Sequence, residues 1–180
     1  DGHPKPHNVI WFEYGNETYH GDHNLSELSV SEYIKQYRNV YFAMKAIDKD
    51  IKIGAVLKNG SIPELSYWTM KVIEGTGDIA DFYIHHAYLP NFNADVPSGK
   101  VYGWTEDSEK TKELFKLTFA STKQFEKYYS ILNQYIFKTT GKRIPLSITE
   151  FNGHFVQGKP IPYRHTLGNA VYVADLIQLF

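Results

Sequence analysis

Four short apolar runs, each followed by a stretch with helical spacing, constrain this chain more than any other feature. Val9 to Tyr14, Ile51 to Leu57, Ala80 to Tyr88 and Leu146 to Phe151 are rich in β-branched and aromatic residues, as buried strands are. Between them the apolar positions recur every three or four residues. Tyr33, Ile34, Tyr37, Val40, Tyr41 and Met44 mark a helix that runs to about Asp48, with Ser31 as its predicted N-cap and Glu32 in its first turn. Leu65 to Glu74 reads as a second helix, ended by Gly75 and Gly77. A third spans about Ser108 to Thr140, in one or two pieces, with Gly141 as its stop, and a last one starts near His165. Such alternation favours a parallel sheet with right-handed crossovers.

Two architectures fit four βα units. A whole (β/α)8 barrel needs roughly 250 residues, so 180 residues supply about half of one. A doubly wound open sheet fits the alternation equally well, but its glycine-rich phosphate loop is missing. Glu74-Gly75-Thr76-Gly77 lacks the third glycine and follows a helix, not a strand. No linker or low-complexity stretch divides the chain. It begins at Asp1 and stops at Phe180 inside an apolar helix, which reads as a piece of a longer protein.

Composition narrows the chemistry. A net charge of −1 argues against nucleic acid or an anionic membrane as partner, and no apolar run has the length of a membrane span. The absence of cysteine excludes disulfides and thiolate nucleophiles, while the compartment stays unknown. Attention then falls on Glu17, just after the first strand-like run, and Glu150, near the end of the fourth. In parallel β/α proteins active sites are built at the carboxyl ends of strands. Two glutamates so placed suit glycoside hydrolysis, which needs a proton donor and a nucleophile about 5–5.5 Å apart when configuration is retained. Asn16 could hydrogen-bond a sugar hydroxyl beside the reacting carbon, or serve only as a turn residue after Gly15. Surface glutamates at strand ends are also common.

Other chemistry is less well served. His20 and His23 lie in a glycine-containing loop, and Glu150 and His154 are four apart across a strand end, where helical spacing means nothing. Zinc needs three or four converging ligands, so neither a metal nor another cofactor is expected. His20 reads as a solvated loop histidine, and Glu13 as structural support. Trp11 and Trp68 read as core, whereas Trp104, after Gly103 in a loop, is the candidate sugar platform.

Particular motifs carry a resemblance. Trp11-Phe12-Glu13-Tyr14-Gly15-Asn16-Glu17 resembles the strand-4 signature of clan A glycoside hydrolases, whose Asn-Glu pair carries the acid/base. The lead-in Gly2-His3-Pro4-Lys5-Pro6-His7-Asn8-Val9 resembles the approach to that strand in family 51, the α-L-arabinofuranosidases. Thr149-Glu150-Phe151-Asn152 is similar to the clan's strand-7 nucleophile motif. Asp81-Phe82-Tyr83-Ile84-His85-His86-Ala87-Tyr88 resembles strand 6, where a His-x-Tyr sets a tyrosine near the nucleophile. The resemblance implies an α/β fold, a (β/α)8 TIM barrel of which residues 1–180 are strands 4 to 7, part of a single catalytic domain truncated at both ends. It implies Glu17 as acid/base and Glu150 as nucleophile, with His86 and Tyr88 at the matching strand-6 positions; Asn16, His86, Tyr88, Trp104 and His154 are the residues expected to bind substrate. The expected partner is a carbohydrate, with the rest of the barrel supplied by a longer parent chain. Family 51 often has Asp-Glu-Trp-Asn and a further aromatic at the nucleophile, where this chain has Thr149, Glu150, Phe151 and Asn152, then Gly153 and His154. Another clan A retaining hydrolase acting on β-linked xylan, glucan or mannan, or a non-catalytic carbohydrate-binding barrel, are the alternatives.

Overall fold

The computed structural model describes residues 2, 4, 5, 7–20, 27–60, 62–91, 108–154 and 165–180, without the side chains of 90, 91, 108–114 and 154. Among them the elements run β1 (Trp11–Tyr14), α1 (Val30–Ile47), β2 (Lys52–Val56), α2 (Tyr67–Thr76), β3 (Phe82–Asn91), α3 (Ser108–Thr140), β4 (Leu146–His154) and α4 (Leu167–Leu179). They fall into two compact units, residues 1–60, 65–85 and 133–147 in one, and 61–64, 86–132 and 148–180 in the other.

In the first unit the strands form a sheet in the order β1-β2-β3-β4. β1 pairs parallel with β2, Trp11 opposite Lys52 and Tyr14 opposite Ala55, and β2 pairs parallel with β3, Gly54 opposite Phe82. The Tyr83 N–H donates to the Pro145 carbonyl at 2.9 Å, just ahead of β4. A doubly wound sheet reverses its strand order at a switch point, whereas a (β/α) barrel winds sequentially. Strand order therefore decides between the two architectures that alternation alone leaves open.

β2 is buried from Ile53 through Leu57, as a central parallel strand covered on both faces should be. β1 departs from expectation. Trp11 is 61% exposed rather than core, its ring edge-on to Phe82 at 5.2 Å, and Glu13 is exposed rather than buried support. Among the described residues β1 is paired with β2 alone.

α1 starts two residues earlier than predicted. Ser29, not Ser31, is its N-cap: Ser29 Oγ accepts from the Glu32 N–H, and Glu32 Oε2 accepts from the Ser29 N–H at 3.2 Å. This capping box needs glutamate three residues after the cap, which selects Ser29. The buried face of α1 carries Tyr33 and Tyr37. The Tyr33 hydroxyl donates to the Tyr14 carbonyl at 3.0 Å and accepts from the Val56 N–H at 2.7 Å, tying the end of β1 to β2. Tyr37 donates to the Ile53 carbonyl at 2.8 Å. Arg38 forks onto Asp78 at 2.6 and 2.9 Å.

α2 begins at the N-cap Ser66 and runs through Gly75 to Thr76. Gly75 therefore does not stop the helix. A Cβ there would lie 2.8 Å from the Ile34 side chain, so the glycine allows α1 and α2 to approach closely. Trp68 is core, as expected, and its indole N–H donates to the Val56 carbonyl at 3.1 Å.

The second unit has its own core. Ala87, Phe125, Tyr172 and Leu176 are fully buried, with Leu89, Tyr129 and Phe151 among the partly buried residues packed on them. α3 is one helix, and its residues 118, 121, 122, 125, 128 and 132 are buried at intervals of one to four, the stripe of an amphipathic helix. α4 is capped by Thr166, whose hydroxyl accepts from the Asn169 N–H. Among the described residues no helix is long and apolar enough to cross a membrane.

Candidate active site

The first glutamate is set by a turn after β1. Gly15 takes φ +83°, where a Cβ would meet the Thr18 methyl at 2.9 Å, and Glu17 itself takes φ +42°. A non-glycine residue held in that left-handed region costs on the order of 1–3 kcal/mol and clusters at functional sites. The turn is closed by the His20 N–H on the Glu17 carbonyl at 3.1 Å and by the Leu28 N–H on the Thr18 carbonyl at 3.0 Å.

Both carboxyl oxygens of Glu17 have partners in that turn. The Tyr19 hydroxyl donates to Oε1 at 3.1 Å, and His20 Nε2 lies 2.7 Å from Oε2. Tyr19 is buried, edge-on to the Trp68 ring at 5.7 Å, with the Lys58 ammonium 5.1 Å from its own ring centre. Asn16 is exposed beside Glu17. Sequence reasoning assigned His20 to solvent. Its ring is 47% exposed, yet it holds the carboxylate. The signal was its place three residues after Glu17 in a tight turn.

The second unit brings together three other predicted residues. The Tyr88 hydroxyl donates to Glu150 Oε2 at 2.7 Å, and His86 Nδ1 lies 3.5 Å from the same oxygen. His86 and Tyr88 are two apart on β3 and so share one face, their rings edge-on at 6.4 Å. Ala87 points the other way, into the core. His86 is buried, whereas the Glu150 side chain is 39% exposed, which leaves the carboxylate reachable. β4 runs on to His154, so Glu150 stands inside the strand and not at its end. Trp104, His23 and the His154 side chain lie outside the described residues.

This is the fold and strand order of part of a (β/α) barrel, with one glutamate in the turn after β1 and another within β4. By sequence, neither a family model nor a curated protein matches the chain. Solved structures do match. An α-L-arabinofuranosidase from Thermotoga maritima, in complex with arabinose, aligns with TM-score 0.69 and 21% identity, over 99% of this chain and 32% of that one. A family 51 α-L-arabinofuranosidase from Bifidobacterium longum aligns at 0.68 and 20% identity, over 99% and 36%. The family 51 arabinofuranosidase from Xanthomonas axonopodis pv. citri aligns at 0.70 and 17% identity, over 99% and 35%. The chain thus spans about a third of the length of the structures it matches, and the four expected βα units of a TIM barrel are what it shares with them.

Proposed function

We propose that this chain is part of the single catalytic barrel domain of a retaining glycoside hydrolase that removes terminal α-L-arabinofuranosyl residues from plant polysaccharides or oligosaccharides. Glu150 attacks the anomeric carbon and forms a glycosyl-enzyme. Glu17 protonates the leaving oxygen, then takes a proton from the water that releases the sugar. Asn16 meets the hydroxyl next to the reacting carbon, and Trp104 and His154 are the further residues assigned to sugar binding, from sequence alone. The observation that carries the reading is the 2.7 Å bond from Tyr88 to Glu150 Oε2. It fixes one oxygen and orients the other for attack, the support a nucleophilic carboxylate needs. His86 backs the same oxygen.

The test compares two arabinofuranosides in the full-length protein, one with a nitrophenyl leaving group and one with an alkyl alcohol. A nitrophenolate leaves without being protonated, whereas an alkoxide does not. Glu17→Ala should lower kcat/KM for the alkyl substrate by roughly 10²–10⁴ and spare the aryl one. Glu150→Gln should abolish both. Equal turnover by the wild type and Glu150→Gln would end the assignment, and sugar binding without any turnover would favour a non-catalytic binding barrel. The departures at Thr149, Phe151 and Gly153 favour testing the clan's β-linked xylan, glucan and mannan activities as the second reading. A panel of nitrophenyl glycosides separates these, with preference for the α-L-arabinofuranoside supporting the first.

A further inference from the structure

Resting on the acid/base role proposed for Glu17, we infer that His20 is a positioning residue for that proton, holding the Glu17 carboxyl in both of its protonation states. His20 Nε2 lies 2.7 Å from Oε2, and the Tyr19 hydroxyl binds Oε1 at 3.1 Å. The carboxyl plane is therefore set by two side chains from the same turn. That turn is itself braced: the His20 ring stands edge-on to Tyr19 at 5.0 Å, and Tyr19 stands edge-on to Trp68. Trp68 is pinned in turn to the Val56 carbonyl.

The choice of residue types matters. An acid/base group alternates between carboxylic acid and carboxylate, and its supports must serve both states without taking the proton meant for the leaving group. With the acid proton carried on Oε1, Oε2 accepts a hydrogen bond from an imidazole Nε2–H in the acid and in the carboxylate alike. The proton delivered to the leaving group comes from Glu17 throughout, and His20 neither contacts substrate nor supplies it.

The experiment uses the full-length protein and the same aryl and alkyl arabinofuranosides. His20→Ala should lower kcat/KM for the alkyl substrate by about 10–100-fold, a fraction of what general acid catalysis contributes, with a several-fold smaller loss on the aryl one. His20→Gln, whose amide both donates and accepts, should recover most of the loss, and it carries the test if the alanine variant fails to fold. An equal fall on both substrates would mean His20 only supports the fold or binding, and no fall on the alkyl substrate would remove it from the reaction; either overturns the inference. Glu17→Ala, run in parallel, separates the two levels. If Glu17→Ala shows the leaving-group pattern and His20→Ala does not, His20 alone is misassigned. If Glu17→Ala lacks the pattern, the acid/base assignment falls first.

Discussion

Glu17 is held by side chains two and three residues further along the chain, whereas Glu150 is held by Tyr88, 62 residues away. The first carboxylate sits in a strained turn and has a partner within that turn on each oxygen. The second sits within a strand and depends on a neighbouring strand for its hydrogen bond. The partners differ in chemistry too. Glu17 faces a histidine and a tyrosine, both able to donate and accept, and its side chain is 20% exposed. Glu150 faces the Tyr88 hydroxyl as donor at 2.7 Å, with His86 at the longer 3.5 Å. A group that must alternate between states and a group that must only attack need different surroundings, and these two regions differ in that sense.

The comparison can be broken most directly at Glu150. Replacing it by glutamine should lower kcat by on the order of 10⁴–10⁶, the scale seen when a covalent nucleophile is removed from other hydrolases, with no dependence on leaving group. Tyr88→Phe removes one hydrogen bond to a charged carboxylate, worth about 1.5–3 kcal/mol. It should therefore cost roughly 10–100-fold in kcat, and equally on aryl and alkyl substrates, because Tyr88 acts on the nucleophile. A leaving-group-dependent loss in Tyr88→Phe would blur the two roles.

The turn carrying Glu17 can be probed through its anchor. Tyr33→Phe strips a donor from the Tyr14 carbonyl and an acceptor from the buried Val56 N–H. That should cost about 1–3 kcal/mol in denaturant unfolding and speed hydrogen exchange at Val56. Buried phenols also set an alkaline limit. Burial pushes the Tyr33 and Tyr37 hydroxyls above their ordinary value of 10.0, and Tyr83 up to about 12. The folded state then binds these protons more tightly than the unfolded chain does. Stability is fully present below pH 10 and should be lost as pH rises through about 12, read as a falling melting temperature. The smallest effect belongs to the surface. Arg38 holds the Asp78 carboxyl below its ordinary value of 3.8, and Asp78 is 58% exposed. Arg38→Met should cost under about 1 kcal/mol, and that contribution should vanish as pH falls below 3.8 and Asp78 is protonated.

Much of the fold was legible because apolar periodicity reports burial directly. β2 and the Tyr33–Tyr37 face of α1 follow from pattern alone. The misjudged features were those where pattern is silent about neighbours. Trp11 looks like core by composition, but in residues 1–180 it is exposed, its ring meeting Phe82 edge-on. Gly75 looks like a helix stop, but it is a point of close contact with Ile34. Ser31 and Ser29 are both plausible caps until the reciprocal bond with Glu32 is drawn. At the candidate site, Glu17, His86, Tyr88 and Glu150 were marked by motif, while the contact of His20 with Glu17 was missed because a turn's geometry is not periodic.

The sequence by itself determined which elements form, the alternation of strand with helix, and the glutamates worth examining, since these depend on local propensity and on residues close along the chain. Only the tertiary structure decided that the strands run in sequential order, that Gly75 packs against Ile34 rather than ending a helix, and that Tyr33 ties Tyr14 to Val56. The reason is physical: strand pairing and burial are set by contacts between residues tens of positions apart, whose free energy no local window of sequence contains.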